Sequence, residues 1–94
     1  MNILHHITKS PNESNALACA LHFAKDQDSL VLAGNAIEAM LQPQWIAALK
    51  ICNVFLMRPD VDARGLAKCF ANYQQIEYKD FIALTLTHAK VISW

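Results

Sequence analysis

Short apolar runs alternate along this chain with stretches in which apolar residues return every three or four positions, a pattern that predicts strand then helix, four times over, closed by a fifth strand. Ile3, Leu4 and Ile7 mark the first strand, with His5 and His6 inside it. Neighbours on a strand point to opposite faces, so one histidine is expected to be buried and hydrogen-bonded and the other nearer solvent, rather than both converging on a metal. Lys9-Ser10-Pro11-Asn12-Glu13 carries the S-x-x-E spacing of a capping box with proline at the first helical position, and a helix is expected to begin there. Leu17, Ala20, Leu21 and Ala24 give it one apolar face, widened by Cys19 and Phe23, and it should end near Lys25 to Asp28.

Ser29 to Ala33 is the continuous kind of run that is buried on both faces of a parallel sheet, and Gly34-Asn35 is its turn. A helical pattern resumes from Ala36 to Leu41, Pro43 interrupts it, and Trp45 to Leu49 supplies a further turn, with Trp45 a core or interface side chain. Ile51 to Met57 reads as the third strand, ended by Arg58-Pro59. Asp60 to Gly65 reads as a short helix with an acidic start and a glycine stop, Leu66 to Asn72 as a connection, and Gln74 to Glu77 as the fourth strand. Asp80 is expected to cap a last helix with Phe81, Ile82, Thr85, Leu86 and Ala89 on one face, before a strand at Val91-Ile92 and the closing Trp94. The expected architecture is a three-layer α/β sandwich in one domain, residues 1–94. Its mostly parallel five-stranded sheet would have helices on both faces and the flavodoxin-like order 2-1-3-4-5.

Composition adds a reason to look for partners. Hydrophobic residues make up 54% of the 94 and charged residues 17%, so apolar surface is in excess for so small a body, and an oligomer interface is the simplest place for it. Eight basic and eight acidic residues cancel, which argues against direct nucleic-acid binding. Met1 to His5 has no basic region leading into a long apolar run, and the longest apolar stretch, Ala16 to Leu21, is too short to cross a bilayer, so neither a signal peptide nor a membrane span is expected. Cys19, Cys52 and Cys69 are odd in number and far apart, which argues against a disulfide framework and against zinc, and fits a reducing cytoplasm.

Active groups in open parallel sheets collect beyond the carboxyl ends of the strands, here Thr8 to Pro11, Gly34-Asn35, Met57 to Asp62 and Glu77 to Asp80. None holds a glycine-rich phosphate loop, a G-x-S-x-G elbow or a Cys-x-x-Cys pair, and no cofactor is implied. Asp60 and Asp62 fit a helix N-terminus better than a metal or phosphoacceptor site, since no lysine or third acid supports them. Cys19, within Ala16 to Leu21, reads as a small hydrophobe, and Cys52, opening a core strand, as inert. Cys69, beside Lys68, is the best exposed thiol, although it sits toward the amino end of the following strand. His22 and His88, both on helices, suit solvated or partner-contacting roles.

Ile3-Leu4-His5 with Lys9-Ser10-Pro11, then Ala63-Arg64-Gly65-Leu66, then Asp80-Phe81 with Leu84-Thr85, His88 and Trp94, resemble the TusB/DsrH family along essentially the whole chain. The resemblance implies a single DsrE/DsrF/DsrH-like domain acting as a cytoplasmic subunit of a sulfur-relay complex, assembled with TusC/DsrF-like and TusD/DsrE-like partners as a dimer of heterotrimers. In the Tus branch, cysteine persulfide carries sulfur toward the 2-thiouridine of the tRNA wobble position; the DsrH branch serves sulfur oxidation. The principal carrier of the family lies just after the third strand of the TusD/DsrE-like subunit, and the comparable place here holds Asp60-Val61-Asp62. The resemblance therefore implies a non-catalytic subunit, with Cys69 and Cys19 as the alternative persulfide acceptors and Asp62, Arg64 and Trp94 as partner-facing residues. Two departures stand out. Cys19 falls one position from the cysteine that some DsrH-type members carry in the first helix, with Ala20 at the match, and a one-residue shift turns a helical side chain by about 100°. Asn35-Ala36 stands where members tend to have Asp-Gly.

Overall fold

A computed structural model describes residues 2–94. Its five strands are β1 (Ile3–Ile7), β2 (Ser29–Leu32), β3 (Asn53–Met57), β4 (Gln75–Ile76) and β5 (Lys90–Ser93), all parallel, in the order β4-β3-β2-β1-β5. The helices are α1 (Ala16–Phe23), α2 (Pro43–Ala48), α3 (Arg58–Ala63) and α4 (Tyr78–Thr87), with 3-10 turns at Gly34–Leu41 and Leu49–Ile51.

The expected order 2-1-3-4-5 is corrected. It would have left β2 at an edge, yet all four residues of Ser29–Leu32 are buried, and the strand lies at the centre between β1 and β3. The layers follow from this order. Stepping from β1 through β4 always moves the same way across the sheet, so right-handed crossovers put α1, the 3-10 helix with α2, and the segment after α3 on one face. There Ile7, Leu30, Leu32 and Leu56 pack with Leu17, Ala20, Ile37, Met40, Leu49, Val61 and Phe70. The return from β4 to β5 runs the opposite way, which puts α4 on the other face, where Phe81 and Leu84 cover Leu4, Val31, Phe55, Met57 and Ile76.

The third strand starts at Asn53 rather than Ile51, α3 runs from Arg58 to Ala63 rather than from Asp60 to Gly65, and β4 is cut to Gln75–Ile76. Both ends of α1 and the start of α4 differ as well, for local reasons. Ser10 and Glu13 bond to each other as a capping box would, with Ser10 N–H donating to Glu13 Oε1 at 2.9 Å, but they close a separate turn in which Glu13 and Ser14 N–H both donate to Ser10 O at 3.1 Å. Helix α1 begins only at Ala16, whose N–H donates to Ser14 Oγ at 3.1 Å, and it ends at Phe23. Asp80 is not the cap of α4. Glu77 is, and Asp80 sits three residues in, accepting from Glu77 N–H at 2.9 Å. That start fixes the phase of α4 so that Phe81, Leu84 and His88 turn inward, while Ile82 and Leu86, expected on the buried face, are 59% and 81% exposed.

Other features match their sequence signals. Pro43 opens α2 at its first turn, where its missing N–H costs no helical bond. Gly65 stops the helix after α3 at φ 67°, its N–H donating to Asp62 O at 3.0 Å. Gly34 adopts φ 53°, and a Cβ there would lie 3.2 Å from Thr8 O, so the turn after β2 needs glycine for both its conformation and the close approach of β1.

Candidate functional site

The carboxyl edge of the sheet is joined by a run of polar bonds linking the ends of β1, β2 and β3. Gly34 N–H donates to Asp60 Oδ2 at 2.9 Å, so the first acid of α3 ties down the β2 turn. Arg64, just past α3, donates through Nη2 to Asn35 Oδ1 at 2.6 Å and through Nη1 to Asp60 O at 3.3 Å. Asn35 in turn donates to Glu13 Oε1 at 3.3 Å. The Ser10 N–H first, and then the Asn35 amide, hold the Glu13 carboxyl below the usual carboxylate range. Asn35 thus bridges Glu13 and Arg64, and the Asn35-Ala36 departure is spent on holding this edge together.

The two histidines of β1 separate as their alternation requires. His5 is fully buried and His6 half-buried. His6 packs its ring 5.0 Å from that of Phe81, and burial lowers its pKa, with Asp60 opposing part of that effect. His5 bonds through Nε2 to Asp28 Oδ2 at 3.0 Å and accepts at Nδ1 from the Trp94 indole, also at 3.0 Å. His88 is not a solvated surface histidine. It donates from Nδ1 to Leu84 O at 2.7 Å, closing the end of α4, and its Nε2 accepts from Ser29 Oγ at 3.0 Å.

The residues expected at a partner interface do not form one site. Asp62 is exposed and lines, with Arg58, Ala67, Ala71, Tyr73 and Gln75, a polar cleft of about 380 Å³ beside β4. Arg64 is half-buried in the carboxyl-edge run. Trp94 follows β5, three strand spacings or roughly 14 Å from β3, with its indole against the core on the α1 face and its ring 5.7 Å from that of Phe23. The half-exposed indole therefore serves its own domain's core on one side and faces outward on the other.

The cysteines divide by environment. Cys19 on α1 and Cys69 in the segment before β4 are exposed, and neither reaches the carboxyl-edge run. Cys52 is half-buried just before β3; burial first, and then the Asp28 carboxylate, push its thiol up to about 11. At about pH 8 that leaves roughly one molecule in a thousand as the reactive thiolate. Brief iodoacetamide treatment followed by peptide mass spectrometry is expected to label Cys19 and Cys69 and leave Cys52 free. Equal labelling of Cys52 would mean that its surroundings open in solution.

Sequence reasoning missed the Glu13–Asn35–Arg64 run and the His5–Asp28 pair, whose members are more than twenty residues apart. The one local sign for Asp28 was an acid separated by Ser29 alone from the apolar run Leu30 to Ala33, where a carboxylate must find donors or stay out of the core. Among the described residues, no group of three or more His, Cys, Asp and Glu side chains is placed to hold a metal ion, and no helix is long and apolar enough to cross a membrane.

Comparison with known proteins covers nearly the whole chain. A family model described as DsrH like protein matches residues 9–91. Protein TusB of Klebsiella pneumoniae subsp. pneumoniae is 30% identical, with 98% of this chain and 100% of that protein covered. Protein TusB of Pectobacterium parmentieri is 32% identical over the same shares, and Protein TusB of Buchnera aphidicola subsp. Acyrthosiphon pisum 30% identical. With so little of its length outside the match, the chain belongs to the DsrH family.

Proposed function

We propose that this chain is a TusB-like subunit of a cytoplasmic sulfur-relay complex, completing the assembly around a persulfide-bearing cysteine of a partner rather than carrying sulfur itself. The observation that carries the reading is the whole-length similarity to TusB proteins, joined to what stands just after β3. A carrier there would need an accessible thiol, ionised enough to attack an incoming persulfide sulfur. This chain has Asp60, whose carboxylate is engaged by the Gly34 N–H, in the first turn of α3. The partners are TusC/DsrF-like and TusD/DsrE-like subunits in a dimer of heterotrimers, met through surfaces that include Asp62, Arg64 and Trp94, and the sulfur goes to the wobble uridine of tRNA.

The test is complementation. In a strain lacking this chain, the triple variant Cys19→Ser, Cys52→Ser, Cys69→Ser should restore tRNA 2-thiouridine as fully as the unaltered chain and copurify with both partner types. A folded triple variant that assembles but restores no 2-thiouridine would overturn the non-catalytic role. The exposure of Cys19 and Cys69 favours one second reading, a sulfurtransferase that accepts persulfide on its own cysteine. It predicts that the isolated chain, incubated with a persulfide donor, gains the mass of one sulfur atom on one of those two residues. Restored growth on reduced sulfur compounds with unchanged tRNA would point instead to the sulfur-oxidation branch.

A further inference from the structure

Trp94, His5 and Asp28 form a hydrogen-bonded line running from the edge strand into the core. An indole N–H can only donate, so the 3.0 Å contact from Trp94 Nε1 requires a lone pair on His5 Nδ1. The single proton of a neutral ring then sits on Nε2, where it donates to Asp28 Oδ2 at 3.0 Å. The neutral Nε2–H tautomer is the one form of His5 that satisfies both neighbours. They pull in opposite directions: the Asp28 carboxylate favours an imidazolium, whereas a proton on Nδ1 would set two N–H donors against each other.

We propose that this line is an acid-opened latch, in which His5 takes a solvent proton on Nδ1, the Trp94 indole bond breaks and the side chain leaves its seat, while Asp28 retains the imidazolium. The two ends of the line differ in their freedom to move. His5 is fully buried in β1 between two paired strands, and Asp28, 1% exposed, is held by the N–H groups of Ile3 and Lys25. Trp94 follows an edge strand with a neighbour on one side only, its side chain is half-exposed, and its ring neighbour Phe23 is 64% exposed. The Trp94 backbone N–H donates to His6 O at 2.9 Å, so the side chain can swing out without unzipping β5.

The titratable groups around His5 are few. Asp28 faces it from the turn before β2, and the Cys52 thiol lies behind Asp28. From α1, Phe23 packs on Trp94 with the exposed His22 edge-on beyond it. His88 is bonded to Ser29, the residue after Asp28, from the opposite face of the sheet. Lys25 reaches Asp28 through its backbone N–H. Opening the latch turns a half-buried aromatic outward beside Phe23, so the apolar area this corner offers to a partner becomes a function of pH.

Nitrogen-labelled full-length protein tests this directly. Its indole N–H signals belong to Trp45 and Trp94 and are told apart with Trp45→Phe. On acidification to about pH 5, the Trp94 signal should shift and its protection from solvent exchange, taken against a free indole at the same pH, should fall by about tenfold. These changes should track the ring nitrogens of His5 passing to the doubly protonated form, while backbone signals of β1, β2 and β3 hold still. His5→Gln, which can accept from the indole and donate to Asp28 but takes up no proton, should make the Trp94 signal independent of pH; if that variant does not fold, the titration of the unaltered protein decides alone. A Trp94 signal that stays put while His5 titrates overturns the latch, as does a His5 that remains neutral until the backbone signals collapse.

Discussion

Replacing Asp28 by alanine is expected to lower the free energy of unfolding by about 3–5 kcal/mol, measured by urea denaturation near neutral pH. The carboxylate is 1% exposed and accepts three hydrogen bonds, from Ile3 N–H at 3.0 Å, His5 Nε2–H at 3.0 Å and Lys25 N–H at 3.2 Å. Alanine leaves all three donors facing a void, and the buried imidazole loses the group that orients it. A loss below about 1 kcal/mol, the range of an ordinary surface change, would show that water takes over these bonds and that the site is more open than its burial implies.

The same residue sets an acid limb to the stability curve. Burial alone would raise the Asp28 carboxyl, but the bonds from His5, Ile3 and Lys25 together outweigh it and hold the group below the ordinary aspartate range. A carboxyl that ionises more readily folded than unfolded contributes stability above the unfolded value of about 4 and loses it as pH falls through the folded value. Unaltered protein should therefore lose stability below about pH 4 faster than Asp28→Ala does, and the two curves should converge. Global loss from Asp28 is read from the unfolding curve and local release of Trp94 from its indole signal, so the two can be told apart on one pH series.

How much of this was legible beforehand depended on how local each cause is. The unbroken run Ser29 to Leu32 announced a strand buried on both faces, and the same fact, carried one step further, would have placed β2 at the centre rather than the edge of the sheet. The opposite fates of His5 and His6 follow from strand alternation alone. The phase of α4 was misread because Asp80, a cap residue by type, sits three residues inside a helix that Glu77 caps, and the apolar face taken from that start included Ile82 and Leu86, which the core does not touch. The carboxyl-edge run was not legible, because Glu13, Asn35 and Arg64 are brought together only by crossovers whose direction depends on strand order. For the same reason, the question of whether Trp94 fills the core or meets a partner does not have one answer. Its position on an edge strand lets the indole seal the α1 face from one side and remain open on the other.

Phe70 shows what a connection can conceal, and Phe70→Ala is expected to cost about 3–5 kcal/mol. From the pattern, Leu66 to Asn72 is an irregular link between α3 and β4, with Cys69 its only notable residue. In the structure Phe70 is 2% exposed and packs into the main core with its ring 5.7 Å from that of Tyr73. Its main-chain N–H donates to Leu66 O at 3.0 Å and its carbonyl accepts from Gln75 Nε2 at 2.9 Å, so the buried ring anchors to the core a residue whose main chain ties the segment to the start of β4. Beyond the global loss, amides from residue 66 to 76 should exchange with deuterium faster than those of β1 and β2 under conditions where the variant stays folded, because β4 is a two-residue strand with one neighbour. Cys69→Ala, one position away on an exposed side chain, should change stability by no more than about 0.5 kcal/mol. Uniform acceleration across the whole sheet in Phe70→Ala would instead mean that the segment and the sheet unfold as one unit, leaving Phe70 a core residue without a local anchoring role.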